Sequence, residues 1–315
     1  MRAAAIFGLG SSIRQLRPFQ KDSRARWQIG LPSSSSQADA ILIFGGDGTI
    51  HRHLGQLVKL NLPVLVVPAG SGNDFARSLG LYHIRNSLSA WREFEARAGN
   101  VRTIDLGLIT PLAMSNPGAN SAPEASLPGS ARHPVPTIPH YFCCVAGCGL
   151  DAGIARRANR LPRWLRAHGG YALSLPGALR RFTPAPLRIL LPDPGNPDEF
   201  ATHSASPTVL LACANTSAYG GGMTIAPRAR MDDARLEICR VRQISKLKLF
   251  CLFPIVYFGR HLAVPEVDYF QAERLRLETE QPWDLYADGE FVCQTPVEVS
   301  VAPAILRVVV PRNQH

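Results

Sequence analysis

The chain has 315 residues, of which 46% are hydrophobic and 18% charged. This composition excludes an intrinsically disordered protein and is sufficient for two domains with a substantial core. Lysine and arginine number 34 against 24 aspartate and glutamate residues, a formal net charge of +10. The excess, mostly arginine, favours an anionic partner such as a nucleotide, a lipid headgroup or a nucleic acid, although a generally basic proteome would give the same balance.

Strand and helix patterns alternate over residues 1–104. Residues 41–44 and 64–67 are apolar throughout, as expected of parallel strands that are covered on both faces. Apolar residues recur at helical spacing between these two strands. A second helix is predicted to begin near Asn73, a residue type that caps helix N-termini. The segment is therefore predicted to form a three-layer α/β domain.

A glycine-rich turn follows each of the two apolar strands. The turns contain Gly45, Gly46, Asp47, Gly48 and Thr49, and then Ser71, Gly72, Asn73 and Asp74. Small residues let backbone N–H groups approach a phosphate, and ligands bind at the carboxyl ends of strands in α/β sheets. The two turns together predict a nucleotide site, with Asp47 and Asp74 facing one crevice. The alternative is a pair of tight turns in which Asp47 and Asn73 only cap helices.

Short strands dominate after residue 104, and several alternate apolar and polar residues as in a half-buried antiparallel sheet. Residues 105–303 are predicted to form a C-terminal β-sandwich, with a last strand in 304–315 that returns to the first domain. Helices are predicted at 154–181 and 246–261. Residues 111–140, rich in proline, alanine, serine and asparagine, are predicted to be a mobile insertion. The predicted strands are 104–109, 141–146, 208–214, 236–241, 275–278, 285–287, 291–293, 297–301 and 305–310.

The dipeptide Asp288-Gly289 lies between two of these short strands and is a strong signal for a two-residue hairpin turn. The functional interpretation is that the hairpin tip directs Glu290 into a cleft between the domains. A simple surface turn is the alternative, and for this tripeptide alone it is the more common case.

Seven cysteines, an odd number, lie along the chain, and Cys143, Cys144 and Cys148 are clustered. No nearby histidine gives a zinc-binding pattern, so they are predicted to be reduced, mostly buried thiols of a cytoplasmic protein. The longest apolar run, 249–258, contains Pro254 and is too short to span a membrane. The first nine residues do not have the pattern of a signal peptide.

These motifs, in this order, resemble the diacylglycerol kinase catalytic-domain family, which includes bacterial lipid kinases and sphingosine kinases. The first glycine turn is shared with NAD kinases, whereas the form of the second turn is specific to the family. The matching segments are 45–49, 68–77, 105–107, 149–152, 220–222, 232–233 and 288–290. The resemblance implies a nucleotide-binding α/β domain and a C-terminal β-sandwich.

The resemblance also implies roles for individual residues. ATP is expected on the first turn and on Ser71, with Gly72 and Asn73 beside it. Asp47 and Asp74 correspond to the two acids near the transferred phosphate, and Glu290 to the proposed general base. A structural Mg²⁺ is expected on Asp233 and on backbone oxygens of Arg230 and Arg235. The chain departs from the family at His51-Arg52, where Asn-Glu is usual, and at Ala234, Arg235 and Cys144.

Two basic and amphipathic stretches are candidates for contact with an anionic bilayer. The first contains Arg156, Arg157, Arg160, Arg163, Trp164, Leu165 and Arg166, and the second contains Lys246, Lys248, Phe250, Phe253, Tyr257 and Phe258. They are compatible with peripheral binding at the inner membrane surface. A solvated helix face for the first stretch and helix-core packing for the second are the alternatives.

The sequence thus predicts an ATP-dependent lipid kinase that uses Mg²⁺ and a lipid acceptor at the membrane surface. An NAD kinase and a catalytically weak nucleotide- or lipid-binding regulator stay as alternatives. Nucleic-acid binding is not predicted, because no motif that combines basic and aromatic residues for it is present. The lipid acceptor and the oligomeric state, a homodimer included, are left open.

Overall fold

Four parallel strands begin the sheet of this protein. A computed structural model describes residues 1–21, 23–113, 138–161 and 170–312. The parallel strands are β1 (Arg2–Phe7), β2 (Arg26–Ile29), β3 (Ala40–Gly45) and β4 (Val64–Pro68). They lie in the order β2, β1, β3, β4, and β3 pairs with β4 so that Phe44 is opposite Val67 and Gly45 is opposite Pro68. The carboxyl ends of β3 and β4 are therefore level at one edge of the sheet.

Helices pack against this parallel part of the sheet. In the longest of them, Ile50, Leu54 and Leu57 are buried, which is the helical spacing that the sequence predicts. That helix ends where Asn61 adopts a left-handed conformation with φ of 49°. The helices of this half are α1 (Arg17–Gln20), α2 (Asp47–Leu60), α3 (Asp74–Ser78) and α4 (Ile84–Glu95).

Two long strands, β5 (Val101–Pro111) and β15 (Val297–Val309), run through both halves of the molecule as an antiparallel pair. The end of β15 pairs in parallel with β4, and its beginning pairs with the antiparallel strand at 274–279. The separate strands predicted at 297–301 and 305–310 are wrong, since they form this one strand. Between the two predicted segments the pairing with β5 only shifts register, from Ala302 to Leu306.

The remaining strands continue the same sheet in antiparallel fashion. They are β6 (His140–Phe142), β7 (Val145–Gly149), β8 (Ala185–Pro192), β9 (Phe200–Ala214), β10 (Leu236–Arg242), β11 (Val267–Ala272), β12 (Arg274–Thr279), β13 (Asp284–Ala287) and β14 (Glu290–Gln294). The main path is β14, β13, β7, β9, β8, β12, β15, while β10 pairs with β9 and β11, and β6 pairs with β5. The strand predicted at 141–146 is two strands, because the chain leaves the sheet at Cys143 and Cys144.

Three further helices, α5 (Leu150–Ala158), α6 (Gly170–Arg181) and α7 (Lys246–Val256), share one apolar cluster. The prediction of one helix over 154–181 is corrected, since α5 ends at Ala158. The stretch around Trp164 lies outside the described residues, as does most of the predicted insertion, residues 114–137. None of the helices that the structure describes is long and apolar enough to cross a bilayer.

Candidate active site

The two glycine-rich turns lie against each other at the carboxyl ends of β3 and β4. The N–H of Asp47 donates to the carbonyl oxygen of Gly72 at 3.2 Å. A methyl group added at Gly46 would lie 2.3 Å from that same oxygen and 2.9 Å from the Cα atom of Gly70. Only glycine allows the two backbones to approach this closely.

The close approach at Gly46 predicts that Gly46→Ala will lower the free energy of unfolding by about 1–3 kcal/mol, because two backbones would have to separate. Gly55→Ala is the matched control, since Gly55 is exposed within α2 and an added methyl group meets nothing within 4 Å. The control should gain about 0.5–1 kcal/mol from helix propensity. Urea denaturation of both variants provides the measurement, and equal midpoints would contradict the argument.

Asp47 connects the first turn to the helix that follows the second. Its two carboxylate oxygens accept hydrogen bonds from the N–H groups of Asp74 at 3.0 Å and Phe75 at 3.1 Å, so Asp47 caps α3. Burial and the nearby charge of Asp74 raise the pKa of Asp47 to about 7. Asn73 occupies the N-cap position of α3 as predicted, but its side chain makes no capping hydrogen bond. Its side chain instead bonds the N–H and the carbonyl oxygen of Gly70 at 3.1 and 2.9 Å.

Asp74 is buried between the two halves of the molecule. One of its carboxylate oxygens accepts a hydrogen bond from the N–H of Gly221 at 2.9 Å, and the other forms an ion pair with Arg77. Gly221 belongs to a glycine turn in the C-terminal half. Asp74 therefore links the two glycine-rich turns to the second half through a backbone contact.

The Asp288-Gly289 turn joins β13 and β14 with both residues in the left-handed conformation, at φ of 50° and 84°. Asp288 is not a surface residue, since its side chain is fully buried. Its carboxylate accepts hydrogen bonds from the N–H groups of Cys143 at 2.9 Å and Cys144 at 2.8 Å, and it lies 3.1 Å from Nδ1 of His51. These contacts hold the hairpin against both α2 and the break between β6 and β7.

The hairpin places Glu290 over the start of α2. A methyl group added at Gly48 would lie 2.7 Å from Oε1 of Glu290, so the carboxylate lies on the first glycine turn, one residue from Asp47. Glu290 is exposed. The structure thus brings together the three acids that the sequence singles out, Asp47, Asp74 and Glu290.

The other residues predicted to bind ATP occupy different environments. Ser71 is exposed and Gly72 is half-buried at the edge of the site. Thr49 is buried, and methyl groups added at Gly8 or Gly45 would collide with its side chain. Thr49 therefore packs beneath the turn, where it supports the conformation of the backbone.

The residues of the predicted structural Mg²⁺ site lie among several arginines. One carboxylate oxygen of Asp233 accepts a hydrogen bond from the N–H of Arg235 at 3.2 Å. The neighbouring Asp232 is bound by the guanidinium groups of Arg102 at 2.9 Å and Arg230 at 3.1 Å. Guanidinium groups thus compensate the charge of Asp232, and a metal ion on Asp233 and the backbone oxygens of Arg230 and Arg235 stays a prediction.

Within the described residues, three potential metal-ligating atoms come within 4.8 Å of one another only at Cys143, Cys144 and Asp288. Burial raises the pKa of the Cys144 thiol to about 12 and that of the Cys143 thiol well above its usual range. Protonated thiols are poor metal ligands, and Asp288 already accepts several hydrogen bonds. The contacts of Asp288 with the N–H groups of Cys143 and Cys144 hold the hairpin in place.

Three residues that hold the site were not assigned a role from the sequence. Asp288 and His51 form one pair, and although burial lowers the pKa of His51, the hydrogen bond to Asp288 raises it above 6.5 overall. Asp105 accepts hydrogen bonds from the N–H groups of Ala234 and Ala304, each at 2.7 Å. Both alanines are left-handed, so Asp105 stabilises two strained positions.

Comparisons with known proteins agree with this architecture. Residues 26–109 match the diacylglycerol kinase catalytic domain, and residues 144–310 match the YegS C-terminal NAD kinase beta sandwich-like domain. A diacylglycerol kinase of Mycobacterium tuberculosis is 32% identical over 275 residues, which cover 87% of this chain and 78% of that protein.

Two solved structures share the fold. A crystal structure of a diacylglycerol kinase from Bacillus anthracis matches with a TM-score of 0.64 at 16% identity, over 99% of this chain and 97% of that chain. An NAD kinase from Archaeoglobus fulgidus in complex with ATP matches with a TM-score of 0.51 at 12% identity, over 99% and 94% of the two chains. The predicted α/β domain with a C-terminal β-sandwich is confirmed, and the chain belongs to the diacylglycerol kinase catalytic-domain family.

Proposed function

We propose that the protein transfers the γ-phosphate of ATP to the hydroxyl group of a lipid. The observation that supports this best is the position of Glu290, which reaches from the C-terminal half onto Gly48 in the first glycine turn. A carboxylate from one half and phosphate-binding backbone from the other are the parts that phosphoryl transfer to a hydroxyl group requires.

In the proposed reaction, the N–H groups of the two glycine turns hold the triphosphate, which arrives as its Mg²⁺ complex. Glu290 accepts the proton of the lipid hydroxyl group while the hydroxyl oxygen forms a bond to the γ-phosphorus. The bond between that phosphorus and the β–γ bridging oxygen breaks, and ADP leaves with the electron pair. The backbone N–H groups stabilise the charge that develops on the phosphate oxygens, which is the larger part of catalysis in such reactions.

In this proposal, Asp47 and Asp74 are the acids next to the transferred phosphate. Asp47 also orients the start of α3 through its two backbone hydrogen bonds. Arg52 replaces the glutamate that is usual in the family, and its Nε donates to the carbonyl oxygen of Gly48 at 3.0 Å. A guanidinium group held at this turn adds positive charge beside the phosphates, where a carboxylate would repel them.

The acceptor hydroxyl group would be met at a bilayer, because a lipid with long acyl chains does not leave the membrane. The protein would therefore act as a peripheral membrane protein. A diacylglycerol is the first acceptor to test, since the relative from Mycobacterium tuberculosis carries the name diacylglycerol kinase.

The test is to incubate the protein with labelled ATP, Mg²⁺ and three acceptors separately: diacylglycerol, NAD and a total lipid extract. Label in a lipid product supports the proposal. Label in NADP alone would instead make the protein an NAD kinase. ATP binding without transfer to any acceptor would indicate a nucleotide-binding regulator, and either of these two results overturns the proposal.

A further inference from the structure

A cavity of about 380 Å³ lies between α5 and α6, away from the glycine turns. Its apolar part is formed by Leu150, Ala178 and Phe182. Three arginines, Arg156, Arg157 and Arg160, line the rest. The cavity therefore offers several guanidinium groups beside an apolar wall, which suits an anion attached to a hydrocarbon chain.

The charge of this cavity is only partly compensated. Arg156 forms an ion pair with Asp284 at 3.4 Å. Across the ranges that the structure describes, neither Arg157 nor Arg160 forms an ion pair with a carboxylate. A guanidinium group presents a planar set of N–H donors that matches the oxygens of a phosphate group. A phosphate group is thus an anion that suits this cavity.

Helix α6, which borders the cavity, and α7, which packs in the same apolar cluster, expose large apolar side chains. Leu173 on α6 is 56% exposed, and Leu247 and Phe250 on α7 are 76% and 52% exposed. The two helices are connected, because Nζ of Lys246 donates to the carbonyl oxygen of Arg180 at 3.1 Å. Exposed leucine and phenylalanine next to basic residues are typical of surfaces that lie in the headgroup region of a bilayer.

The cavity is also connected to the hairpin that carries Glu290. Asn159, next to Arg160, donates a hydrogen bond from Nδ2 to the carbonyl oxygen of Gly289 at 2.7 Å. Arg156 reaches Asp284 at the beginning of β13. A lipid bound in the cavity would therefore hold the hairpin tip close to the membrane surface.

We infer that the cavity binds the phosphate group of an anionic phospholipid in the bilayer, as a site separate from the acceptor hydroxyl group. The choice of a membrane lipid over free phosphate rests on the proposed function together with the exposed apolar residues. The bound lipid orients the protein so that its acceptor site faces the membrane.

The test is sedimentation of the protein with vesicles of phosphatidylcholine alone and with vesicles that also contain phosphatidylglycerol. Wild type should bind the anionic vesicles at least about 25-fold more tightly than the neutral ones, since two arginines contribute about fivefold each. The double variant Arg157→Gln/Arg160→Gln should lose about 25-fold of that affinity, or about fivefold per arginine. Arg157→Lys should be intermediate, because it keeps the charge and loses the planar fork.

Arg85→Gln is the control for the loss of one arginine, because it removes one positive charge from an exposed position on α4 in the other half. It should change the affinity by less than about twofold. A loss of about fivefold in the control, equal to the loss per arginine in the double variant, would mean that net charge alone drives binding and would overturn the site. Thermal unfolding of each variant checks that it is folded, and the single variant Arg160→Gln replaces the double variant if that one is not.

Two further measurements are needed. One distinguishes a lipid phosphate from free inorganic phosphate, and the other distinguishes the lipid site from the proposed kinase activity. Inorganic phosphate at millimolar concentration should not release wild type from anionic vesicles, and release would overturn the assignment to a lipid. Turnover of a short-chain diacylglycerol dissolved without vesicles tests the kinase activity alone. If that turnover is absent while vesicle binding still depends on Arg157 and Arg160, the lipid site stands and the proposed function falls.

Discussion

Replacing Glu290 with glutamine is expected to lower kcat for lipid phosphorylation by about 10²–10⁴-fold, the usual contribution of a general base. Glutamine keeps the size of the side chain but cannot accept the proton of the attacking hydroxyl group. Because Glu290 is exposed, the free energy of unfolding should change by less than about 0.5 kcal/mol. Single-turnover kinetics with labelled ATP and thermal unfolding of the same samples measure both quantities.

The control for this variant is Glu280→Gln, which removes a carboxylate from an exposed position after β12. It should leave kcat within about twofold of wild type. The KM for ATP should be similar in Glu290→Gln and wild type, since on the proposed function the glycine turns hold the nucleotide. A Glu290→Gln enzyme with near wild-type kcat would remove Glu290 from the reaction and leave the hairpin with a structural role.

The part of the fold that carries the nucleotide site could be predicted because its pattern is local. Residues 41–44 and 64–67 are continuous apolar runs followed by glycine turns, and each feature is complete within a few residues. Strands with polar composition could not be predicted in this way. The first half of β9 contains several polar residues and forms a strand because β8 pairs with it. Its conformation depends on a neighbour, which no local pattern describes.

The site was predictable to a similar extent. The proximity of Asp47 and Asp74 follows from two parallel strands that end at one edge of the sheet. The partners of Asp288 are 145 and 237 positions away in the chain, so its burial depends on tertiary structure. Residue type also suggested that the side chain of Asn73 caps α3. Instead, the N–H groups at the start of α3 donate to the two carboxylate oxygens of Asp47, which lies in a different loop.

Asp47→Asn is expected to have the second largest effect on activity, a loss of about a hundredfold or more in kcat/KM. In wild type each carboxylate oxygen accepts a hydrogen bond from one N–H group of α3. In the variant the amide oxygen replaces only one of these acceptors, and the amide nitrogen faces the other N–H group, from which it cannot accept a hydrogen bond. The start of α3 would then shift, and the negative charge next to the transferred phosphate would be lost. In wild type, kcat/KM should rise as pH increases through about 7, where the carboxyl group ionises.

Ionisation of the same carboxyl group should lower the free energy of unfolding as pH rises, whereas it raises kcat/KM. The pKa of Asp47 is raised from 3.8 to about 7 on folding, so the folded state keeps a proton that the unfolded chain has released. This contribution to stability is fully present below pH 3.8, and it is lost as pH rises to about 7. Asp47→Asn removes the titration, so its free energy of unfolding should fall less between pH 5 and 8 than that of wild type. Urea denaturation across this range measures the difference. Parallel curves would show that Asp47 is already ionised at low pH, and the acid assigned to the rise in activity would then have to be another residue.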